Sequence, residues 1–270
     1  MKRILVTGAA GGAATMIRPL LRAHYRLRLS DIVPVADLAE SEEFIAADVS
    51  DFDAMLALVD GCDGIVHFGG YAVEGPWEVI LKSNIAGGYN LFEAARQKGV
   101  KRVVFPSSNH VVGFYRRDQR IGTDVTLRPD SRYGISKCFG EALASLYADK
   151  YGLEVLTIRI GNVQERPLNV RLLSIWISPR DLVQLLGIGF EHPGLRYEVV
   201  YGISDNARGW WDNTNAFRLG YRPQDRSEDY AAEILAAHPE RTGDDLVDDH
   251  QGGGFVRAEA DGDPLKPPVG

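Results

Sequence analysis

Tyr133 and Lys137 stand four residues apart in Tyr133-Gly134-Ile135-Ser136-Lys137. On a helix that spacing puts both side chains on one face. A phenol titrates at about 10 and is a poor base at neutral pH. A nearby ammonium, or the positive charge of an oxidised nicotinamide, favours its phenolate. Such a tyrosine can take a proton from a substrate hydroxyl while a hydride leaves the same carbon. The pair arises by chance in many helices, so it needs company. Pro106-Ser107-Ser108-Asn109-His110 follows an apolar run, and a serine at the C-terminal end of a parallel strand can hydrogen-bond a reacting oxygen. His110 also reads as a packed loop histidine.

A second set of residues fits a dinucleotide. Thr7-Gly8-Ala9-Ala10-Gly11-Gly12-Ala13-Ala14 follows the apolar run Ile4-Leu5-Val6 and opens a helix. Glycines there let the backbone turn and approach a pyrophosphate, and the helix N-terminus offers free N–H groups. Asp31 lies 23 residues after Gly8, at the end of the second apolar run. An acid at that point accepts from both adenosine ribose hydroxyls and repels a 2′-phosphate, which favours NAD over NADP. Asp48, ending a third run, is placed to meet the adenine edge or to cap a helix.

These residues need strands and helices to carry them. Apolar runs at 4–6, 27–31, 44–48, 64–68, 102–105 and 155–160 read as strands. Helices are expected over about 13–23, with Pro19 kinking it or altering its first turn, over 51–59 and 133–151, and over 76–98, interrupted by Gly87-Gly88. Alternation of this kind gives βαβ units with right-handed crossovers. The fold class is α/β: a doubly wound parallel Rossmann sheet with a small C-terminal substrate lobe. Residues 1–162 form the NAD-binding part with Ser108, Tyr133 and Lys137, and 163–270 form the lobe, intertwined with the first. Beyond 162 a helix is expected at 181–189 and a strand at 197–201. From about Asp244 the chain is polar and rich in Gly and Pro, and its last 15 or so residues read as an arm on a neighbour or as mobile.

Composition narrows the classes further. Hydrophobic residues make up 45% of the 270, enough for a sizeable core, and the net charge is −7. No basic stripe suggests a nucleic-acid partner. The apolar runs are strand-sized, so no membrane span is expected. Two cysteines, Cys62 and Cys138, make no disulfide framework, and with no signal-peptide core at the N-terminus a cytoplasmic home is expected. No metal site is expected.

Taken together, these motifs resemble the extended short-chain dehydrogenase/reductase superfamily. The Thr7-Gly8-x-x-Gly11 turn, Asp31, Asp48, Asn84, Ser108 and Tyr133-x-x-x-Lys137 follow its order, and Ser108 precedes Tyr133 by 25 residues, as in extended sugar-modifying members. The resemblance implies that Tyr133 is the base and that Ser108 orients the oxygen. Lys137 would bind the nicotinamide ribose and lower the tyrosine pKa. Gly8, Gly11, Gly12, Ala13, Asp31, Asp48, Val49, Phe68, Gly69, Gly70 and Asn84, with Tyr133 and Lys137, are the expected NAD-binding residues.

A narrower resemblance covers nearly the whole chain. Gly61-Cys62-Asp63-Gly64-Ile65-Val66-His67, Ser107-Ser108-Asn109-His110, Tyr133-Gly134-Ile135-Ser136-Lys137-Cys138-Phe139-Gly140-Glu141 and Gly209-Trp210-Trp211-Asp212-Asn213 are similar to bacterial uronate dehydrogenases. So are Asn169-Val170-Arg171-Leu172-Leu173-Ser174 and Gln251-Gly252-Gly253-Gly254-Phe255. That family implies that Ser108, Asn109, His110, Tyr133 and Asn162 contact a sugar acid and that Arg171 grips its carboxylate, for which a planar guanidinium is apt. The chain departs from the family with Ala14 as third residue of the glycine fingerprint, Tyr71-Ala72 in place of a serine, and Asn162 in place of another.

The expected activity is NAD-dependent oxidation of D-galacturonate or D-glucuronate at C1 to the aldaro-lactone. Only 133 residues follow Lys137, which suits a free sugar acid better than a nucleotide sugar. The rivals are a sugar-nucleotide epimerase or another sugar dehydrogenase on the same scaffold, and a non-catalytic NAD-sensing protein. A homo-oligomer is expected, since extended members commonly associate through helices of this sheet.

Overall fold

The computed structural model describes residues 1–239 and 241–258. Its strands are β1 (Arg3–Thr7), β2 (Arg26–Asp31), β3 (Glu42–Ala46), β4 (Gly64–His67), β5 (Arg102–Ser108), β6 (Glu154–Ile160), β7 (Asn162–Val163), β8 (Trp176–Ile177) and β9 (Tyr197–Gly202). Seven of them form one parallel sheet in the order β3-β2-β1-β4-β5-β6-β9. Strand order reverses between β1 and β4, and such a switch point opens a crevice at the C-terminal strand ends.

The sheet is covered on both faces because its strands are apolar on both. Ile4, Val6, Val66, Val104, Leu156 and Ile158 pack beneath α1 (Gly12–Leu21) and α7 (Pro179–Glu191). Their neighbours Leu5, Ile65, Val103, Phe105 and Val155 point the other way, to α2 (Phe52–Val59), α4 (Gly87–Lys98) and α5 (Arg132–Tyr151). Period-two alternation sorts them, and burial on both sides makes the runs continuous in sequence. No helix among the described residues is long and apolar enough to cross a membrane.

Three expectations shift. The third strand lies at Glu42–Ala46, not 44–48, so Asp48 stands two residues past its end. As an edge strand it leaves Ile45 40% exposed, and its apolar pair is a poor guide to its bounds. Helix α1 runs through Pro19 and ends two residues later. Gly87-Gly88 does not interrupt its helix: α3 (Trp77–Ile80), a π-helical turn (Leu81–Ala86) and α4 follow one another directly. Gly87 instead permits close packing, since a Cβ there would lie 2.7 Å from Val49 Cγ2.

Beyond residue 162 the chain returns to the sheet. Helix α7 packs on α1, and β9 adds the strand beside β6. The short pair β7–β8 and the helices α6 (Leu172–Ile175), α8 (Thr214–Arg218), α9 (Ala231–Ala237), α10 (Asp245–Asp249) and α11 (Gly254–Arg257) make up the remainder. The Trp211 ring stacks on Tyr201 at 4.7 Å, and Trp211 Nε1 donates to Gln251 Oε1 at 2.8 Å. The chain up to Ala258 thus folds back on its own body, whereas residues 259–270, most of the expected arm, lie outside the described residues.

Candidate active site

Two adjoining cavities lie over the switch point. The first, about 640 Å³, is lined by Gly8, Gly11, Gly12, Ala13, Asp31, Asp48, Val49 and Phe68 to Ala72, among others. Its shape depends on Gly8, which has φ +68° and lies so near Phe68 that a Cβ would sit 2.5 Å from the Phe68 carbonyl carbon. No side chain caps the N-terminus of α1, so its first N–H groups remain available. Beneath the floor, Thr7 Oγ1 accepts from Gly69 N at 3.1 Å and shares a 2.7 Å bond with His67 Nδ1. Burial and the charge of Lys137 bring His67 down to about 3, so it is neutral.

Asp31 has two tasks. Oδ2 accepts from Ala10 N at 3.0 Å and Oδ1 from Val33 N at 3.3 Å, so the carboxylate braces the glycine turn as it faces the cavity. Asp48 is held by Lys82 Nζ at 2.9 Å and by Ser50, which together bring it down to about 2. Asn84 does not line the cleft. Its Oδ1 accepts from Tyr71 N at 2.7 Å, and its Nδ2 donates to Tyr71 O and to Ser136 Oγ, both at 2.9 Å. It grips the loop after β4 through that peptide and ties it to α5. The π-helical turn carries it there.

The second cavity, about 320 Å³, is lined by Ser108, Asn109, His110, Tyr133, Lys137, Asn162 and Phe255, and shares Ala13 and Phe68 to Ala72 with the first. Burial pushes the Tyr133 phenol up to about 12, the Ser108 hydroxyl works against this, and Asp130 adds to it. Lys137 donates to the Pro106 carbonyl at 2.8 Å, and burial brings it down to about 8. Lys137 is not among the groups that lower the phenol here: its ammonium is over the ring face, 5.6 Å from its centre, and is itself desolvated. Glu74, buried, accepts from Tyr133 N at 2.9 Å and fixes the start of α5.

On the far side, His110 Nδ1 bonds Asp130 Oδ2 at 2.7 Å, and its ring stacks on Phe255 at 3.8 Å. With its amide oriented to satisfy both neighbours, Asn109 donates to Ile160 O at 3.3 Å and accepts from Arg171 Nη2 at 3.2 Å. Arg171 stands behind Asn109 and does not line the cavity wall. Its Nη2 donates to Gln251 O at 2.7 Å, while its Nε is buried without a partner. Burial, with Arg117 nearby, lowers it to about 10. Asn162 Oδ1, on the cavity wall, is likewise buried and unpaired. Buried polar atoms of this kind are rare and point to a polar ligand or water.

The chain thus brings together every expected site residue except Asn84 and Arg171, which stand one layer back. Phe255, Glu74 and Asp130 were not singled out in the sequence. Phe255 did lie in the Gln251–Phe255 string, which was the available signal; Glu74 and Asp130 gave none.

A profile of the NAD dependent epimerase/dehydratase family matches residues 4–164. The chain is 48% identical over 258 residues to a uronate dehydrogenase of Pseudomonas putida, which covers 95% of this chain and 96% of the relative. It is similar to the crystal structure of a glucuronic acid dehydrogenase from Chromohalobacter salexigens, with TM-score 0.93, 49% identity and coverage of 95% and 97%. A mutant uronate dehydrogenase from Agrobacterium tumefaciens, complexed with NAD, has TM-score 0.92 at 46% identity, with coverage of 95% and 97%.

Proposed function

The chain belongs to the NAD dependent epimerase/dehydratase family and, within it, to the uronate dehydrogenases, and on that premise we propose that it oxidises a hexuronic acid at C1 with NAD. The observation that carries the substrate class is Arg171: a buried guanidinium one layer behind the cavity wall, with an unpaired Nε and no salt bridge among the described residues, Asp130 being the negative charge that acts on it. A buried cation with no bonded counter-ion favours an anionic ligand nearby. The 320 Å³ cavity is near the lower end of the about 300–1,000 Å³ typical of ligand pockets, which suits a free sugar acid better than a nucleotide sugar.

The residues present fit NAD. The N–H groups of the glycine turn and α1 would hold its pyrophosphate, and Asp31 its adenosine ribose. Lys137 uses one N–H on Pro106 and keeps two for the nicotinamide ribose. Asp48, held by Lys82, closes the adenine end. Bound NAD supplies the hydride acceptor. Tyr133 Oη takes the proton of the C1 hydroxyl. Ser108 Oγ accepts from His110 N at 3.2 Å, which leaves its own proton to steady the reacting oxygen. Asn109, His110 and Asn162 orient the sugar, and the product is the aldaro-lactone. Much of the rate comes from holding C1 in register.

Self-association belongs to the same proposal: Tyr89, Leu146 and Tyr151 on α4 and α5 are 48%, 48% and 42% exposed, and sedimentation would read the subunit number. The test of function is absorbance at the NADH band with D-galacturonate, D-glucuronate and their neutral aldoses. Net NADH with uronates alone supports the reading. No NADH with either uronate overturns it.

A further inference from the structure

Asp130 is buried at the entrance to α5, and its two oxygens have different partners. Oδ2 meets His110 Nδ1 at 2.7 Å. Oδ1 accepts from Ser131 Oγ at 2.8 Å. The Ser131 hydroxyl in turn accepts from Gly134 N at 2.9 Å as the N-cap of α5, so its proton is directed at Asp130. Two glycines make room for the carboxylate: a Cβ at Gly113 would lie 1.8 Å from Oδ2, and one at Gly252 2.0 Å from it. Gly252 N also donates to Gly113 O at 2.9 Å, which closes the C-terminal segment over the same spot.

A carboxylate only accepts, so His110 Nδ1 carries a proton and, in the neutral ring, Nε2 does not. Among the described residues nothing hydrogen-bonds Nε2, and the ring lines the sugar-side cavity beside Tyr133. We propose that Asp130 is a positioning residue that fixes His110 as the Nδ1–H tautomer, so that Nε2 presents a lone pair to a hydroxyl of the sugar. The proposal rests on the reading of this cavity as a sugar-acid site. It adds a sense of direction to His110: acceptor toward the substrate, donor toward the protein.

The Ser131 proton makes this testable with an isosteric change. In Asp130→Asn, Ser131 still donates, so the amide oxygen turns to Ser131 and the NH2 faces His110. Nδ1 must then accept, and the proton moves to Nε2, as removal of an orienting carboxylate does in a serine-protease triad. Protein carrying 15N-histidine reads this directly: the unprotonated-nitrogen resonance belongs to Nε2 in the parent and to Nδ1 in Asp130→Asn, with His110→Gln identifying the signal. The lone-pair contact is made in ground and transition states alike, so KM for a uronate rises about tenfold or more with a smaller change in kcat. The dissociation constant for NAD stays within about twofold. Adding Ser131→Gly to Asp130→Asn frees the amide to turn its oxygen back to Nδ1–H and restores both the resonance and most of KM.

An unmoved resonance in Asp130→Asn overturns the proposal, as does a moved resonance with unchanged KM. So does a change confined to the pH dependence of kcat, which would mean that Asp130 acts only through its charge on Tyr133. A parent protein that turned over no uronate would sink the functional reading instead, and the ring-nitrogen spectra would still decide the tautomer.

Discussion

Lys137 Nζ lies over the face of the Tyr133 ring, 5.6 Å from its centre, and does not bond the phenol oxygen. Burial pushes the two in opposite senses, the phenol up to about 12 and the ammonium down to about 8. A phenol pushed up to about 12 is a poor base at neutral pH, so turnover depends on the positive charges of Lys137 and of an oxidised nicotinamide, which favour its phenolate. Oxidation should therefore rise with pH from neutral into the alkaline range. In Lys137→Met the rise should move to higher pH, toward the phenol's own titration. Tyr133→Phe should cut kcat by on the order of 10²–10⁴ while NAD affinity holds. A flat pH–rate profile from neutral to alkaline would rule the pair out as proton acceptor.

Arg171 has no salt bridge among the described residues and rests on the amide oxygens of Gln251 and Asn109. Arg171 stands one layer behind the cavity, so a substrate carboxylate reaches it only if Asn109 gives way; such a charge-assisted contact contributes on the order of 1.5–3 kcal/mol. Arg171→Ala should lower kcat/KM for a uronate by at least roughly tenfold, with little effect on the matching neutral aldose. Arg171→Lys should recover only part, since a point charge lacks the planar fork. Equal losses on acid and neutral sugars would make Arg171 a brace for the C-terminal segment alone.

Asp31 braces Ala10 N as well as facing the cleft. Asp31→Asn keeps an acceptor for that N–H and removes the charge. The ratio of kcat/KM for NADP over NAD should rise by about tenfold, or about 1.4 kcal/mol. If the ratio does not move, the carboxylate serves the turn and not the choice of cofactor.

His67 predicts an acid limb of stability. Its pKa is depressed to about 3 in the fold, against about 6.5 when unfolded, so the unfolded chain binds the proton first. The stability it protects is whole above about pH 6.5 and is lost as pH falls toward the folded value, on the order of 3–5 kcal/mol over the full range. Thermal melts from pH 7 to 4 should show a shallower slope in His67→Asn, which retains an acceptor for Thr7 but does not titrate. Parallel slopes would exclude His67 as the source.

Much of this was legible in the residues. Continuous apolar runs gave the doubly covered strands, and the glycine turn, Asp31 and Tyr133-x-x-x-Lys137 are local patterns whose chemistry follows from spacing. The π-helical turn at Leu81–Ala86 was not, because a one-residue change in helix winding leaves no mark in composition. Nor was Glu74: its value lies in meeting Tyr133 N across 59 residues of chain. The burial of the pair was hidden for a related reason. Spacing places Lys137 on the right face, but only the packed structure shows how far the phenol and the ammonium are desolvated.

Phe255 finishes the sugar side of the cleft, whereas the dinucleotide side is built from residues before Gly161. During synthesis the two halves of the site therefore mature at different times. A nascent chain that has released β6 holds the glycine turn, Asp31, Ser108, Tyr133 and Lys137, yet must wait for some ninety further residues before His110 gains the ring that stacks on it. Translation that stops short of that point would leave a nucleotide-binding product with half a pocket, able to sequester cofactor and unable to use it.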